Sequence, residues 1–123
     1  DRFVFTGHIN PHVFGYVLDL WLDTFPMHQG ESMSEYSSKG GSFLRLLDQP
    51  NVANSMIEKE GVENKCRDWA CDVDDYIEVA DYLINNPECM TKLGNENISN
   101  ALYVVKARIQ TGIKEFIDIL GKL

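Results

Sequence analysis

Two segments of the chain show a strong helical spacing of hydrophobic residues. In the first, residues 72–86, Asp72 is a suitable N-cap, and Asp75 follows three positions later, where a capping box has glutamate. The residues expected to face the core recur every three or four positions: Val73, Tyr76, Ile77, Ala80, Leu83 and Ile84. The Asn-Asn-Pro sequence at residues 85–87 is expected to end this helix.

The second segment, residues 97–120, alternates its hydrophobic positions by four and three. These positions form a single line along the predicted helix: Ile98, Leu102, Val105, Ile109, Gly112, Phe116 and Ile119. Such spacing is typical of a helix that packs lengthwise against other helices in a bundle. We therefore predict a long final helix.

Three further segments are predicted to be helical, and the first of them has a broad apolar face opposite Asp19 and Asp23. Residues 10–26, "NPHVFGYVLDLWLDTFP", are predicted to form a helix in which Asn10 is the cap and Pro11 occupies the first turn. Residues 42–49, "SFLRLLDQ", and residues 51–60, "NVANSMIEKE", are predicted to form shorter helices.

The rest of the chain lacks a clear period. Residues 27–41 are rich in loop-forming residues, and we predict a long loop, a feature that is often functional or mobile. Residues 2–6 have no evident pairing strand and are predicted to form an extended arm. The predicted fold is therefore all-α: a bundle of four main helices with short extra helical turns and an extended N-terminal arm, in one helical domain over residues 1–123.

The net charge argues against a nucleic-acid partner, and the hydropathy argues against a membrane-spanning segment. The 123 residues carry a formal net charge of −8, which would repel a nucleic-acid backbone, so we predict no nucleic-acid partner. The most apolar run, "VFGYVLDLWL", is interrupted by Asp19 and is much shorter than the roughly 20 residues of a membrane-spanning helix. We therefore predict that the chain does not span a membrane.

Charge is unevenly distributed along the chain. Residues 58–81 contain nine acidic and three basic side chains, a local net charge of −6, whereas residues 101–123 contain four basic and two acidic ones. Three of the carboxylates, Asp74, Glu78 and Asp81, are spaced i, i+4 and i+7 and share one side of the predicted helix. This side is either ordinary solvated surface or a docking face that speeds encounter with a basic partner.

The three cysteines, at positions 66, 71 and 89, leave two alternatives open. The predicted helix 72–86 is about 21 Å long and separates Cys71 from Cys89. The five residues from Cys66 to Cys71 are too few to run back along the whole helix, so we expect no bridge to Cys89 from either cysteine. The alternatives are a Cys66–Cys71 disulfide across a corner between helices and three free thiols. The disulfide would fit an exported or organelle-lumenal protein, and free thiols would fit the cytosol.

No catalytic or metal-binding pattern is evident. Zinc needs about four nitrogen or sulfur ligands at suitable spacing, so we predict no metal or other cofactor. We predict a non-catalytic interaction protein, an accessory or extrinsic subunit that docks on a larger assembly and is not an enzyme. The predicted partner-binding residues come from the acidic helix and the 27–41 loop: Asp74, Glu78, Asp81, Glu31, Glu35, Tyr36 and Lys39.

Two other functions fit the same sequence features. The first alternative is an immunity or inhibitor protein that neutralises a basic toxin or nuclease. The second alternative is a small enzyme or ligand carrier with an internal pocket. A stable complex with a secreted toxin would favour the first, and a polar pocket holding a residue of shifted pKa would favour the second.

Overall fold

The computed structural model describes residues 4, 6–7, 10–28 and 30–122. In these residues five helices accompany a three-stranded parallel sheet. The all-α prediction is therefore wrong, although helix remains the main secondary structure. The predicted extended arm, residues 2–6, lies mostly outside the described residues.

The sheet consists of β1 (Leu20–Leu22), β2 (Ser42–Leu46) and β3 (Trp69–Ala70), in the order β1-β2-β3. Leu20 lies opposite Ser42 and Leu46 lies opposite Ala70. The central strand β2 is buried at four of its five positions. A parallel strand buried on both faces has a nearly continuous apolar sequence rather than an alternating one.

The helices are α1 (Pro11–Phe14), α2 (Gly30–Ser38), α3 (Pro50–Glu60), α4 (Val73–Asn85) and α5 (Pro87–Leu120). α3 and α4 confirm two predicted helices. Gly61, with φ 74°, follows α3 as its C-cap. The Asp72 carboxylate accepts a hydrogen bond from the backbone N–H of Asp75 at 2.8 Å, which confirms it as the N-cap of α4.

Other predicted boundaries in the first half of the chain are wrong. The helix predicted over residues 10–26 is reduced to the four residues of α1, and β1 occupies part of the remainder. The helix predicted over residues 42–49 is largely β2. Both segments contain short apolar runs, which hydrophobic spacing alone cannot assign to helix or strand. The loop predicted over residues 27–41 is mostly α2.

Tyr36 explains why the polar segment α2 is helical. Its side chain is fully buried, its hydroxyl donates to the carbonyl oxygen of Leu18 at 3.0 Å, and its ring centroid lies 5.5 Å from that of Trp21. A Cβ added at Gly41 would collide with the Tyr36 ring. Burial, with a smaller contribution from the charge of Asp19, raises the pKa of Tyr36 to about 12. α2 is therefore anchored by tertiary contacts.

The main core lies where β2, α4 and the first part of α5 meet. Its buried members are Leu44, Leu46, Ala70, Val79, Leu83, Cys89 and Leu93. α4 buries Asp75, Val79 and Leu83. The predicted core stripe is therefore confirmed at Leu83 and, as half-buried residues that pack against the core, at Tyr76 and Ala80. It is wrong at Val73, Ile77 and Ile84, which are largely exposed. α4 has apolar residues on two faces, and packing selects only one of them for the core.

α5 begins at Pro87, ten residues before the predicted start at 97. Proline suits the first helical turn because its missing N–H would have no intrahelical acceptor there. A Cβ added at Gly94 would collide with the carbonyl oxygen of Gly40, and the Asn97 side chain donates to Gly41 O at 2.9 Å. Residues 102–120, which we call the projecting half of α5, have mostly exposed side chains.

The membrane prediction is confirmed for the part of the chain that the structure describes. None of the helices there combines the length and the apolar character that crossing a bilayer requires. Even the 34-residue α5 carries charged residues along its whole length.

The disulfide joins Cys66 to Cys89, whose Cα atoms are 5.7 Å apart, and leaves Cys71 as a free thiol. Both the predicted lack of a bridge at Cys89 and the candidate Cys66–Cys71 pair are therefore wrong. The segment before α4 is extended in part and runs back along that helix. An extended chain rises about 3.3 Å per residue, against 1.5 Å in a helix. The few residues between Cys66 and the start of α4 are therefore long enough to run back along the helix and bring Cys66 close to Cys89.

Candidate protein-interaction site

The corner "NKCRDWACDVDD", residues 64–75, sets the orientation of α4. Arg67 is only 2% exposed, and its guanidinium donates to the Asp75 carboxylate and, at 2.7 Å, to the carbonyl oxygen of Trp69. The guanidinium also lies 4.1 Å from the centroid of the Trp69 ring, a cation–π contact. The planar guanidinium thus ties the start of α4 to β3.

Asp75 receives several further donors. The backbone N–H of Cys71 lies 3.0 Å and the Lys65 ammonium 3.1 Å from its carboxylate oxygens. Burial opposes ionisation of Asp75, but the hydrogen bonds from Arg67, Cys71 and Lys65 outweigh it and hold the pKa of this carboxyl well below its usual value. Asp75 is therefore ionised at neutral pH, and, like the N-cap Asp72, it stabilises the fold.

Cys71 lies beside this cluster. Its Sγ is 3.3 Å from Asp75 Oδ2. Burial, and then the hydrogen bond to the Asp75 carboxylate, raise the pKa of Cys71 above its usual value. Cys71 is therefore mainly a neutral thiol at physiological pH, a poor nucleophile and a poor metal ligand.

The outward face of α4 combines apolar and acidic side chains. Three large aliphatic residues there are 60–62% exposed, and we call them the α4 stripe: Val73, Ile77 and Ile84. Three exposed carboxylates lie along one flank of the stripe, and we call them the acidic edge: Asp74, Glu78 and Asp81. One member of the edge is ion-paired, because the Lys65 ammonium lies 2.8 Å from Glu78.

An apolar cavity of about 210 Å³ adjoins the start of the α4 stripe. Its lining consists of Asp23, Phe25, Leu46, Val73 and Tyr76. A cavity of about 150 Å³ is enough to hold a benzene molecule, so this one has room for an aromatic side chain. The α4 stripe therefore leads into a cavity that a large apolar group could fill.

The predicted partner-binding residues of the 27–41 segment lie on α2 instead. Tyr36 is fully buried, so its predicted role at a binding surface is wrong. The Lys39 ammonium lies 2.8 Å from Glu35, and this hydrogen bond lowers the pKa of Glu35. Glu31 is exposed. α2 packs against α1, β2 and α5, whereas α4 packs against β2, β3 and α5.

The three residues of the acidic edge were predicted from the sequence to share one side of the helix. The three residues of the α4 stripe were predicted to be core, so their exposure was missed. One signal could have revealed them. The hydrophobic residues of α4 cover more of the helix circumference than a single core-facing stripe requires. Such an excess indicates either a fully buried helix or a helix with a second contact face.

No protein-family model, curated protein or solved structure matches this chain. The residues at the site therefore provide the basis for a functional proposal. They form an exposed apolar stripe with a negatively charged edge and an adjoining apolar cavity.

Proposed function

We propose that this chain is a non-catalytic interaction protein that docks on a larger assembly through the outward face of α4. The observation that carries the proposal is the exposure of the α4 stripe. Exposed apolar patches rimmed by polar groups are typical of protein–protein interfaces. Full burial of each aliphatic side chain contributes about 1.5–3 kcal/mol, so the stripe can supply useful affinity.

The geometry favours a helical partner with a basic flank. α4 has 13 residues and is about 20 Å long, and the stripe runs along most of it. A helix lying beside it would insert apolar residues around the stripe and place one large side chain in the cavity. Lysine or arginine residues on that helix would face the acidic edge and speed association.

The first experiment tests the stripe. A partner captured from the native source is identified by photo-crosslinking from position 77, and its affinity is then measured with purified proteins. The double variant Ile77→Ser/Ile84→Ser should raise the dissociation constant roughly 100-fold. The control Val52→Ser/Val62→Ser truncates two exposed apolar residues outside α4, which are 42% and 37% exposed, and should leave the affinity unchanged.

The second experiment tests the acidic edge. Replacing Asp74, Glu78 and Asp81 by Asn, Gln and Asn should slow association and reduce its salt dependence, with little change in dissociation rate. The control triple Asp48→Asn/Glu58→Gln/Glu63→Gln alters net charge equally at exposed positions away from α4.

Comparing the two triple variants separates steering of the partner by the acidic edge from the effect of overall net charge on the association rate. Equal slowing by both would assign the effect to overall charge. No slowing by either at low salt, with melting curves unchanged, would leave the acidic edge as ordinary solvated surface.

A further inference from the structure

The projecting half of α5 exposes a regular apolar seam. Its positions alternate by three and four: Leu102, Val105, Ile109, Gly112, Phe116 and Ile119. The five large side chains among them are 53–62% exposed. A period of 3.5 residues maintained along a helix is the pattern of a coiled coil, in which each seam residue inserts between residues of a facing helix.

We propose that the projecting half of α5 pairs with the same segment of a second copy of the chain as an antiparallel two-stranded coiled coil. A two-fold axis between residues 110 and 111 brings seam positions of the two copies opposite one another. The resulting layers are Leu102 with Ile119, Val105 with Phe116, and Ile109 with Gly112, each formed twice. This arrangement matches the largest seam residue with a smaller valine, and the glycine with a large isoleucine.

A parallel in-register pair would pack the same residues poorly. Phe116 would face Phe116 and Gly112 would face Gly112 in successive seam layers, so one layer would be crowded and the other would leave a gap. Overpacking and cavities both destabilise a core. The order of side-chain sizes along the seam therefore favours the antiparallel pair.

Gly112 supports the same arrangement. Glycine within a helix is destabilising relative to alanine. A Cβ added at Gly112 would meet nothing within 4 Å among the described residues, so packing within the chain does not require glycine here. In the antiparallel pair, Gly112 leaves room for Ile109 of the second copy.

The charges beside the seam are complementary only in the antiparallel pair. Arg108 and Glu115 occupy equivalent flanking positions one heptad apart, and both are exposed. With the same two-fold axis, Arg108 of each copy faces Glu115 of the other, which gives two reciprocal ion pairs. In a parallel pair, Arg108 would face Ile113 of the second copy instead, and no ion pair would form there.

The rest of each molecule leaves room for the pair. Residues 102–120 span about 28 Å, and in the antiparallel arrangement residue 120 of one copy lies level with residue 101 of the other. Ile98, the preceding seam position, approaches Gly40, because a Cβ added at Gly40 would lie 3.0 Å from Ile98 Cδ1. The seam face of α5 thus contacts its own chain up to about residue 98 and is exposed from residue 102 onward. This proposal does not depend on the function proposed for α4.

Sedimentation equilibrium on the complete chain, at about 1 to 200 µM, tests the pairing. We expect a reversible dimer. Ile109→Glu should raise the dissociation constant roughly 100-fold, because it places charges inside the seam. Ile117→Glu is the matched control: this residue is 60% exposed, against 57% for Ile109, but lies outside the seam, and the dimer should persist.

A wild-type chain that stays monomeric at every concentration would overturn the proposal. Equal weakening of the dimer by Ile109→Glu and Ile117→Glu would also overturn it, since the contact would then not follow the seam.

A charge exchange tests the antiparallel orientation. Arg108→Glu or Glu115→Arg alone should raise the dissociation constant about tenfold, because each single variant faces like charges across the pair. The double variant Arg108→Glu/Glu115→Arg should return it to near the wild-type value, since both reciprocal pairs are then reversed in sign. A double variant as weak as the single ones would overturn the antiparallel alignment.

Discussion

α5 is one continuous helix whose two halves have opposite environments. The first half buries Cys89, Leu93 and Gly94 against the rest of the chain, and the disulfide at Cys89 secures it. The projecting half carries apolar residues at similar helical spacing but exposes them to solvent. Hydrophobic spacing therefore indicates which face of a helix makes contacts. It does not indicate whether that face packs against the same chain or against another molecule.

The largest expected difference is between a buried carboxylate in α4, within the packed part of the chain, and an exposed carboxylate in the projecting half of α5. Asp75→Asn should lower the free energy of unfolding by about 3–5 kcal/mol at pH 7, because it leaves the buried Arg67 without its counter-ion. Asp118→Asn, in the projecting half, should change the free energy of unfolding by less than about 0.5 kcal/mol.

The pH dependence of this effect follows from the lowered pKa of Asp75. A carboxyl group whose pKa is lower in the folded state contributes stability that is present above its unfolded pKa of about 3.9. That contribution is lost as the pH falls through the lower folded pKa. Urea unfolding at pH 7, 5 and 3 should therefore show a smaller difference between wild type and Asp75→Asn at pH 3, and a constant difference would contradict the ion pair.

Two leucine truncations test the difference between the two halves of α5. Leu93 is 7% exposed and Leu102 is 55% exposed. In denaturant unfolding at low protein concentration, Leu93→Ala should cost about 3 kcal/mol and Leu102→Ala less than about 0.5 kcal/mol. At concentrations where the proposed dimer forms, Leu102→Ala should become destabilising. Similar costs at low concentration would mean that the projecting half packs against its own chain.

Alanine substitutions at the two glycines should have modest effects of opposite sign. Gly94→Ala should lower the free energy of unfolding by about 1–2 kcal/mol, because the clash with Gly40 exceeds the gain in helix propensity. Gly112→Ala should stabilise the projecting half by up to about 1 kcal/mol in the monomer, since the added methyl meets nothing there. Thermal melts followed by circular dichroism at low concentration measure both effects, and a shift of the same sign for both would contradict the different environments.

The parts of the fold predicted from sequence are those with local signals. α3 and α4 lie between residues that start or stop a helix, and the Asp72 cap acts over three residues. The strands had no such signals. β1, β2 and β3 pair across more than twenty residues of chain at each step, so their assignment depends on contacts that spacing within one segment cannot reveal.

The candidate site shows the same division. The spacing of Asp74, Glu78 and Asp81 is enough to predict that they share one side of α4, and all three are exposed in the structure. The α4 stripe could not be separated from the core side by hydropathy, since Ile77 and Val79 are similarly apolar. β2 and β3 pack against the Val79 side of the helix, and Ile77 remains outside.

Local sequence accounts for the cap of α4, the regular seam of α5 and the concentration of negative charge in residues 58–81. Each depends on the order of nearby residues and on interactions of about 1 kcal/mol within a few positions. The sheet, the buried face of α4 and the pairing of Cys66 with Cys89 arise from tertiary contacts. These depend on which distant segments exclude water together, a sum over many contacts that no single segment contains.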